Sequence, residues 1–314
     1  MPRLAALCLA VAVMLAAGAG CGPGAGDDQA GDGVTLRVTR DFGERLLSSA
    51  RRERVRQDQT VLRLLRAGHD VQTRRGGDSV QEIDGIAGGG AGGTEDWFYY
   101  VNCLLADRGA AEYELSPGDV VQWDYRDYRD YRGAMDVRTI VGAFPEPFLH
   151  GLEGKRLPTR VECEDAESDP CESVKQTLRD AGVPATGAAL GAAGTQNVAR
   201  VVVGRWESTR ELVSAQVLED DPGASGVFAR YGATGQELEL LDERGDVART
   251  AGPETGLIAA LRPTDEELLW VVTGGDDEGL RRAAEAFDAA TLRDAFAVAA
   301  GPDGAEHLPL AETP

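Results

Sequence analysis

The chain has 314 residues and a formal charge of −21, which sets the molecule as a whole against phosphate backbones and anionic headgroups and excludes nucleic acid as a partner. Hydrophobic residues at 42% and charged residues at 27% are the proportions of a folded chain and exclude general disorder. The length allows two ordinary domains once a leader is removed.

The leader comes first. Arg3 gives a basic start, Leu4 to Ala17 are apolar, and Gly18-Ala19-Gly20 lead into Cys21, an order that reads as a secretory signal over residues 1–20. A cysteine at this place resembles a bacterial lipobox, although Gly18 stands where leucine is usual. The resemblance implies cleavage before Cys21 and lipid on its thiol. The protein would then be anchored to the cell membrane on its extracytoplasmic face. A membrane-spanning helix is the rival reading, but spanning takes ~20 apolar residues and this run is shorter; plain secretion is the other alternative. Residues 21–33, rich in Gly, Asp and Ala, read as a flexible tether.

Val34, Leu36 and Val38 alternate with Thr35, Arg37 and Thr39 and predict a strand. Arg40 to Arg56 is polar, a candidate hairpin. Thr60 is placed to cap a helix whose apolar face is Val61, Leu62, Leu64 and Leu65, with Gly68 ending it. Short strands are expected at 71–73 and 80–86, and Gly88 to Gly93 as a loop. Trp97-Phe98-Tyr99-Tyr100-Val101, aromatic and β-branched throughout, is the strongest strand signal in the chain. Strands at 110–115 and 120–125 are expected on either side of a Ser116-Pro117-Gly118-Asp119 turn.

Phe144-Pro145-Glu146-Pro147 opens a stretch expected to be a linker over 144–158, separating a domain at 34–143 from a second at 159–314. In the second, strands are expected at 160–163, 199–203, 238–241, 256–261 and 268–273, helices at 173–182, 277–287 and 291–298, and a loop of small residues at 185–194. The fold class expected is α+β: a β-grasp-like first domain with one helix, followed by an α/β domain.

The cysteines fit an oxidising compartment. Cys163 and Cys171, close together in an acidic stretch, predict a local disulfide. Zinc would need two further nearby ligands, and His69, His150 and His307 are distant in sequence. Cys103 is left over, as a buried thiol or a partner for another cysteine. Glu164, Asp165, Glu167 and Asp169 are candidate calcium ligands but lack the spacing and glycine turn of a calcium loop, so no metal is expected. Thr273-Gly274-Gly275-Asp276-Asp277 has the glycines of a phosphate cradle, but its carboxylates already occupy the positive helix end and fit an N-cap turn better. No nucleophile is placed with a base, so nothing supports an enzyme.

Trp97-Phe98-Tyr99-Tyr100-Val101-Asn102, then Gly109-Ala110-Ala111, Tyr113, Gly118-Asp119 and Trp123-Asp124-Tyr125 resemble a bacterial domain family similar to the C-terminal β-domain of transcobalamin. Ile83-Asp84-Gly85-Ile86 and the helix at 60–68 fit the same pattern, so the resemblance spans about 34–141. It departs at Cys103, where the family usually has glycine, and a turn needing positive φ would be strained there. The resemblance implies an exported β-grasp-like fold and, because transcobalamin's β-domain helps cover a corrinoid, cobalamin as a ligand. Candidate ligand contacts are then Trp97, Tyr99, Tyr100, Asn102, Trp123, Tyr125, Tyr128 and Tyr131, as an aromatic platform; the alternative is that the rings pack a small core. The tandem Asp124-Tyr125-Arg126, Asp127-Tyr128-Arg129, Asp130-Tyr131-Arg132 reads as a protruding loop, either a binding edge or a solvated, self-paired segment. The functional expectation is a ligand-binding accessory to uptake. The alternative is an interaction protein that docks a partner in the cell envelope.

Overall fold

Period-two alternation builds the first sheet. The computed structural model describes residues 28–29, 32–74, 79–90, 93–128, 137–220 and 225–311, and over these the chain is mostly sheet with few helices. A short strand β1 (Asp28–Gln29) precedes β2 (Val34–Arg40), which forms the expected hairpin with β3 (Arg45–Arg52). β4 (Val55–Arg56) returns alongside β1, and helix α1 (Val61–Arg66) follows, its N-terminus capped as expected by the Thr60 side chain. A small antiparallel sheet of β5 (Val71–Arg74), β6 (Ser79–Ile83) and β7 (Ile86–Ala87) comes next. Then come β8 (Glu95–Val101), β9 (Leu104–Leu105) and β10 (Val120–Asp127). The first sheet has the order β3-β2-β10-β8-β9, with its central pair β2 and β10 parallel and the other pairs antiparallel.

This sheet is buried on both faces, so every second residue meets a different core. Val34, Leu36, Val38, Trp97, Tyr99, Val101, Val121, Trp123 and Tyr125 pack with the apolar stripe of α1. Tyr100 faces the other way and joins Phe42, Phe144, Phe148 and Phe296 in a core that continues to the second sheet. The segment 110–115, expected as a strand, is a turn with one isolated bridge from Glu114 to Thr60; Tyr113 and Leu115 are buried there by the cap of α1 rather than by a ladder. The stretch 144–158 forms turns, and Phe144 and Phe148 are buried against Trp270 at ring distances of 6.2 and 5.0 Å.

The second sheet opens with β11 (Thr159–Cys163), helix α2 (Asp169–Asp180) and β12 (Ala185–Ala189). β12 lies where a loop of small residues was expected. After β13 (Ala199–Arg205) a one-turn helix α3 (Trp206–Thr209) leads to a three-stranded antiparallel sheet of β14 (Ala229–Tyr231), β15 (Leu238–Leu241) and β16 (Val247–Ala251). β17 (Gly256–Thr264), β18 (Glu267–Gly274), helix α4 (Asp277–Glu285), β19 (Ala297–Gly301) and β20 (Gly304–Leu308) complete it. The helix expected at 291–298 is not formed. Turns occupy 291–294, and the alanines after them are recruited into β19 between β17 and β20.

The strand order is β12-β11-β13-β18-β17-β19-β20, and the first four strands are mutually parallel. Helices α2 and α4 pack on this sheet and on each other, which puts both on one face. Gly274 explains the glycine pair before α4: a Cβ there would lie 2.2 Å from the Leu280 amide nitrogen, so only glycine lets the helix approach. Asp276 caps that helix, accepting from the Gly279 amide at 2.8 Å. Close packing and a cap account for the motif.

Candidate functional site

The aromatic residues are used up by the core. Trp97 donates its indole N–H to the Ile86 carbonyl (3.0 Å) and lies 5.1 Å from the Tyr125 ring. Tyr99 stacks on Trp123 at 4.8 Å and donates its hydroxyl to the Arg108 carbonyl (2.6 Å). Tyr100 and Tyr125 likewise donate to the carbonyls of Val137 (3.0 Å) and Ala87 (2.9 Å). These five rings are buried. Tyr128 is half-buried, edge-on to Phe98, with its hydroxyl on the Gly93 carbonyl; Tyr131 lies outside the described residues. A planar ligand would find the ring faces covered, so the platform arrangement gives way to packing, and ligand contact is left to exposed edges.

Asn102 is also committed internally. Its amide donates to Asp119 Oδ1 and to the Gly151 carbonyl, both at 2.7 Å, and its oxygen accepts from the Val120 amide at 2.8 Å. Asn102 and Cys103 both take positive φ, 49° and 75°, so the turn does ask cysteine for the geometry glycine prefers. The Cys103 thiol is free and fully buried, and burial pushes its pKa well up.

The tandem divides between strand and loop. Asp124-Tyr125-Arg126 ends β10, and Arg126 is fully buried with its guanidinium 4.0 Å from the Phe98 ring centre and 5.3 to 5.7 Å from those of Phe42, Phe296 and Tyr100. Asp124 lies beside it at 3.4 Å and accepts from Thr39 Oγ1 and the Gly43 amide. Burial raises the Asp124 pKa against the pull of Arg126. The expected protruding loop therefore does not include the first copy; residues 129–136 lie outside the described ones.

An open cleft of ≈ 400 Å³ lies at the carboxyl ends of β11 and β13, the edge where open parallel sheets receive ligands. Its walls are the first turns of α2 and α4; Pro170, Val203 and Leu280 are its apolar lining, and Arg205, Arg281, Asp165, Asp169 and Asp277 bring charge of both signs. Glu164 fixes Arg205: it accepts from the Arg205 amide (2.8 Å), its guanidinium (2.7 Å) and Ser208 Oγ (2.7 Å). Burial would raise the Glu164 pKa, but these donors outweigh it and hold the carboxyl below its usual range. Arg205 Nε also lies 3.4 Å from Asp277.

The expected disulfide supports one wall. Cys163 at the end of β11 is bonded to Cys171 in the first turn of α2. The acidic stretch between them does not assemble a cation site: Glu164 is held by Arg205, Asp165 caps the Glu167 amide (2.9 Å), and among the described residues no cluster of His, Cys, Asp and Glu has metal-binding geometry. What the cleft offers is paired charge over an apolar floor. The cleft leaves no mark in the sequence because Glu164 and Arg205 are 41 positions apart and only the parallel pairing of β11 with β13 brings them together.

Residues 58–127 match the family model of a domain of unknown function, DUF4430. No curated protein matches the chain. Among solved structures, a protein of Ruminococcus gnavus provisionally described as metal-binding is similar at 14% identity. The match covers 31% of this chain and 97% of that one, with a TM-score of 0.24.

Proposed function

We propose that this is a lipid-anchored extracytoplasmic protein that binds a small zwitterion, of the amino-acid or short-peptide class, in the cleft at the carboxyl edge of the second sheet. The carrying observation is the pairing of guanidiniums and carboxylates over an apolar floor at that edge. Arg205 suits a ligand carboxylate, and Asp169 and Asp277 an ammonium group, while Arg281 already bonds Glu278 and Glu285 of its own helix. The volume falls within the range of small-molecule sites. Cobalamin, the ligand implied by the transcobalamin resemblance, fits less well, because a corrinoid exceeds this cleft and the aromatic rings point inward. The hairpin, helix and parallel central pair of the first sheet support a β-grasp reading of 34–143. An accessory role in uptake follows from placing such a site outside the cytoplasm on an anchor at Cys21.

The test is thermal unfolding of the full-length protein against amino acids, dipeptides, dicarboxylates and cobalamin. A zwitterion at a hundred times its Kd would add about 2.7 kcal/mol, read as a rise in Tm that Arg205→Gln abolishes. A rise with cobalamin alone, or one that survives Arg205→Gln, would discard this site. Mass spectrometry of the amino terminus checks the anchor, the expected result being acyl chains on Cys21.

A further inference from the structure

The charge of −21 is unevenly spread. Residues 51–66 carry Arg51, Arg52, Arg54, Arg56, Arg63 and Arg66 against only Glu53 and Asp58, and all six arginines are exposed. Three of them, Arg52, Arg56 and Arg63, line a single shallow groove of ≈ 420 Å³ together with Asp58, Gln59 and Ala67. Asp58 is shared between Arg56, at 3.9 Å, and Arg63, while Arg52 donates to the Ala67 carbonyl at 3.1 Å. Among the described residues that line the groove, one is a carboxylate and three are guanidiniums. Exposed pairs of this kind contribute little to stability, so folding does not account for the cluster. Arginines on an edge strand do discourage edge-to-edge pairing. That explains Arg51 and Arg52 on β3, but Arg56 and Arg63 lie on β4 and α1.

The position of the groove supplies the partner. Arg56 on β4 is paired in register with Asp28 on β1, seven residues after Cys21. Seven residues reach at most about 25 Å, about three screening lengths at physiological salt, so the groove cannot lie far from the headgroups. We propose that the Arg52–Arg56–Arg63 groove docks on the anionic headgroups of the membrane that holds the chain, so that the first sheet lies against the bilayer instead of swinging free on its tether. The proposal rests on the anchor at Cys21, and it reverses, for this segment alone, the repulsion expected from the whole-chain charge.

The test uses the full-length lipidated protein, labelled at Gln57→Cys with a polarity-sensitive fluorophore and reconstituted on vesicles of phosphatidylcholine with or without phosphatidylglycerol. The expected result is a blue shift on the phosphatidylglycerol vesicles alone, reversed by added salt. In the Arg52→Gln/Arg56→Gln/Arg63→Gln protein the docked-to-free ratio should fall about a hundredfold, from the loss of three charges near an anionic surface. Cosedimentation with both vesicle types but with no lipid-dependent shift, or an unchanged shift in the triple variant, overturns the docking and leaves the anchor standing. Failure to sediment with either vesicle, with Cys21 unmodified by mass, overturns the anchor and the proposal with it.

Discussion

A small polar knot holds the start of the described chain against the turns at 146–151. His150 lies between two carboxylates, with Nδ1 2.5 Å from Glu146 Oε1 and Nε2 2.8 Å from Asp32 Oδ2. Burial alone would lower its pKa, but the two hydrogen bonds prevail and raise it. Beneath it Gly118 has φ 95°, and a Cβ there would sit 2.3 Å from His150 Cγ, so both conformation and space call for glycine. Next door, burial pushes Asp119 up to about 6, against donors from Ser116 and Asn102. A raised folded-state pKa means stability that is fully present below the unfolded pKa and lost as pH rises through the folded one. Asp119 therefore weakens the fold as pH climbs from about 4 to about 6, by up to ~3 kcal/mol for a shift of this size. His150 extends the decline above its ordinary value. Between pH 4 and 7 the urea midpoint of Asp119→Asn should rise relative to the parent's, because only the parent loses stability on ionisation; a constant difference would contradict the assignment.

At the scale of elements, the Cys163–Cys171 bond joins the end of a central strand to the first turn of the helix that covers it. Closing so short a loop restricts the unfolded chain by about 2–3 kcal/mol. The Cys163→Ser/Cys171→Ser protein should lose that amount in chemical denaturation, while an unchanged midpoint would make the bridge incidental. This pairing was legible in the sequence because the eight-residue spacing leaves few alternatives. So was the Thr60 cap, whose partner is three residues away, and so were the alternating strands of the first sheet. What was not legible was set by distant neighbours. Ala185–Ala189 has no bulky side chain to announce a strand and becomes one only through its parallel ladder with β11. Ala297–Gly301 has a helical composition, yet β17 and β20 claim its backbone. The aromatic stripe revealed its strand but not that both of its faces would be covered.

For the molecule as a whole, the second core decides how it unfolds. Phe42 and Tyr100 from the first sheet's side meet Phe296 from the turns before β19, with ring centres 5.5 Å apart in both pairs. Gln122 Nε2 reaches the Asp294 carbonyl (3.0 Å) and Thr139 Oγ1 the Ala260 carbonyl (2.6 Å). Neither sheet can melt without exposing part of the other's packing. Tryptophan fluorescence, with Trp97 and Trp123 in one sheet, Trp270 in the other and Trp206 just after β13, should fall in a single urea transition that coincides with circular dichroism; two resolved steps would show that the shared core is not cooperative. The arginine held among four aromatic rings has a further consequence for how this gene could drift. Because the three Asp-Tyr-Arg units are identical, excising the first would draw the second into the vacated places, with the same carboxylate under Thr39 and the same guanidinium against Phe98. Trp123, just upstream, would still set the register. A chain with one unit more or fewer would thus keep the same side chains in the strand.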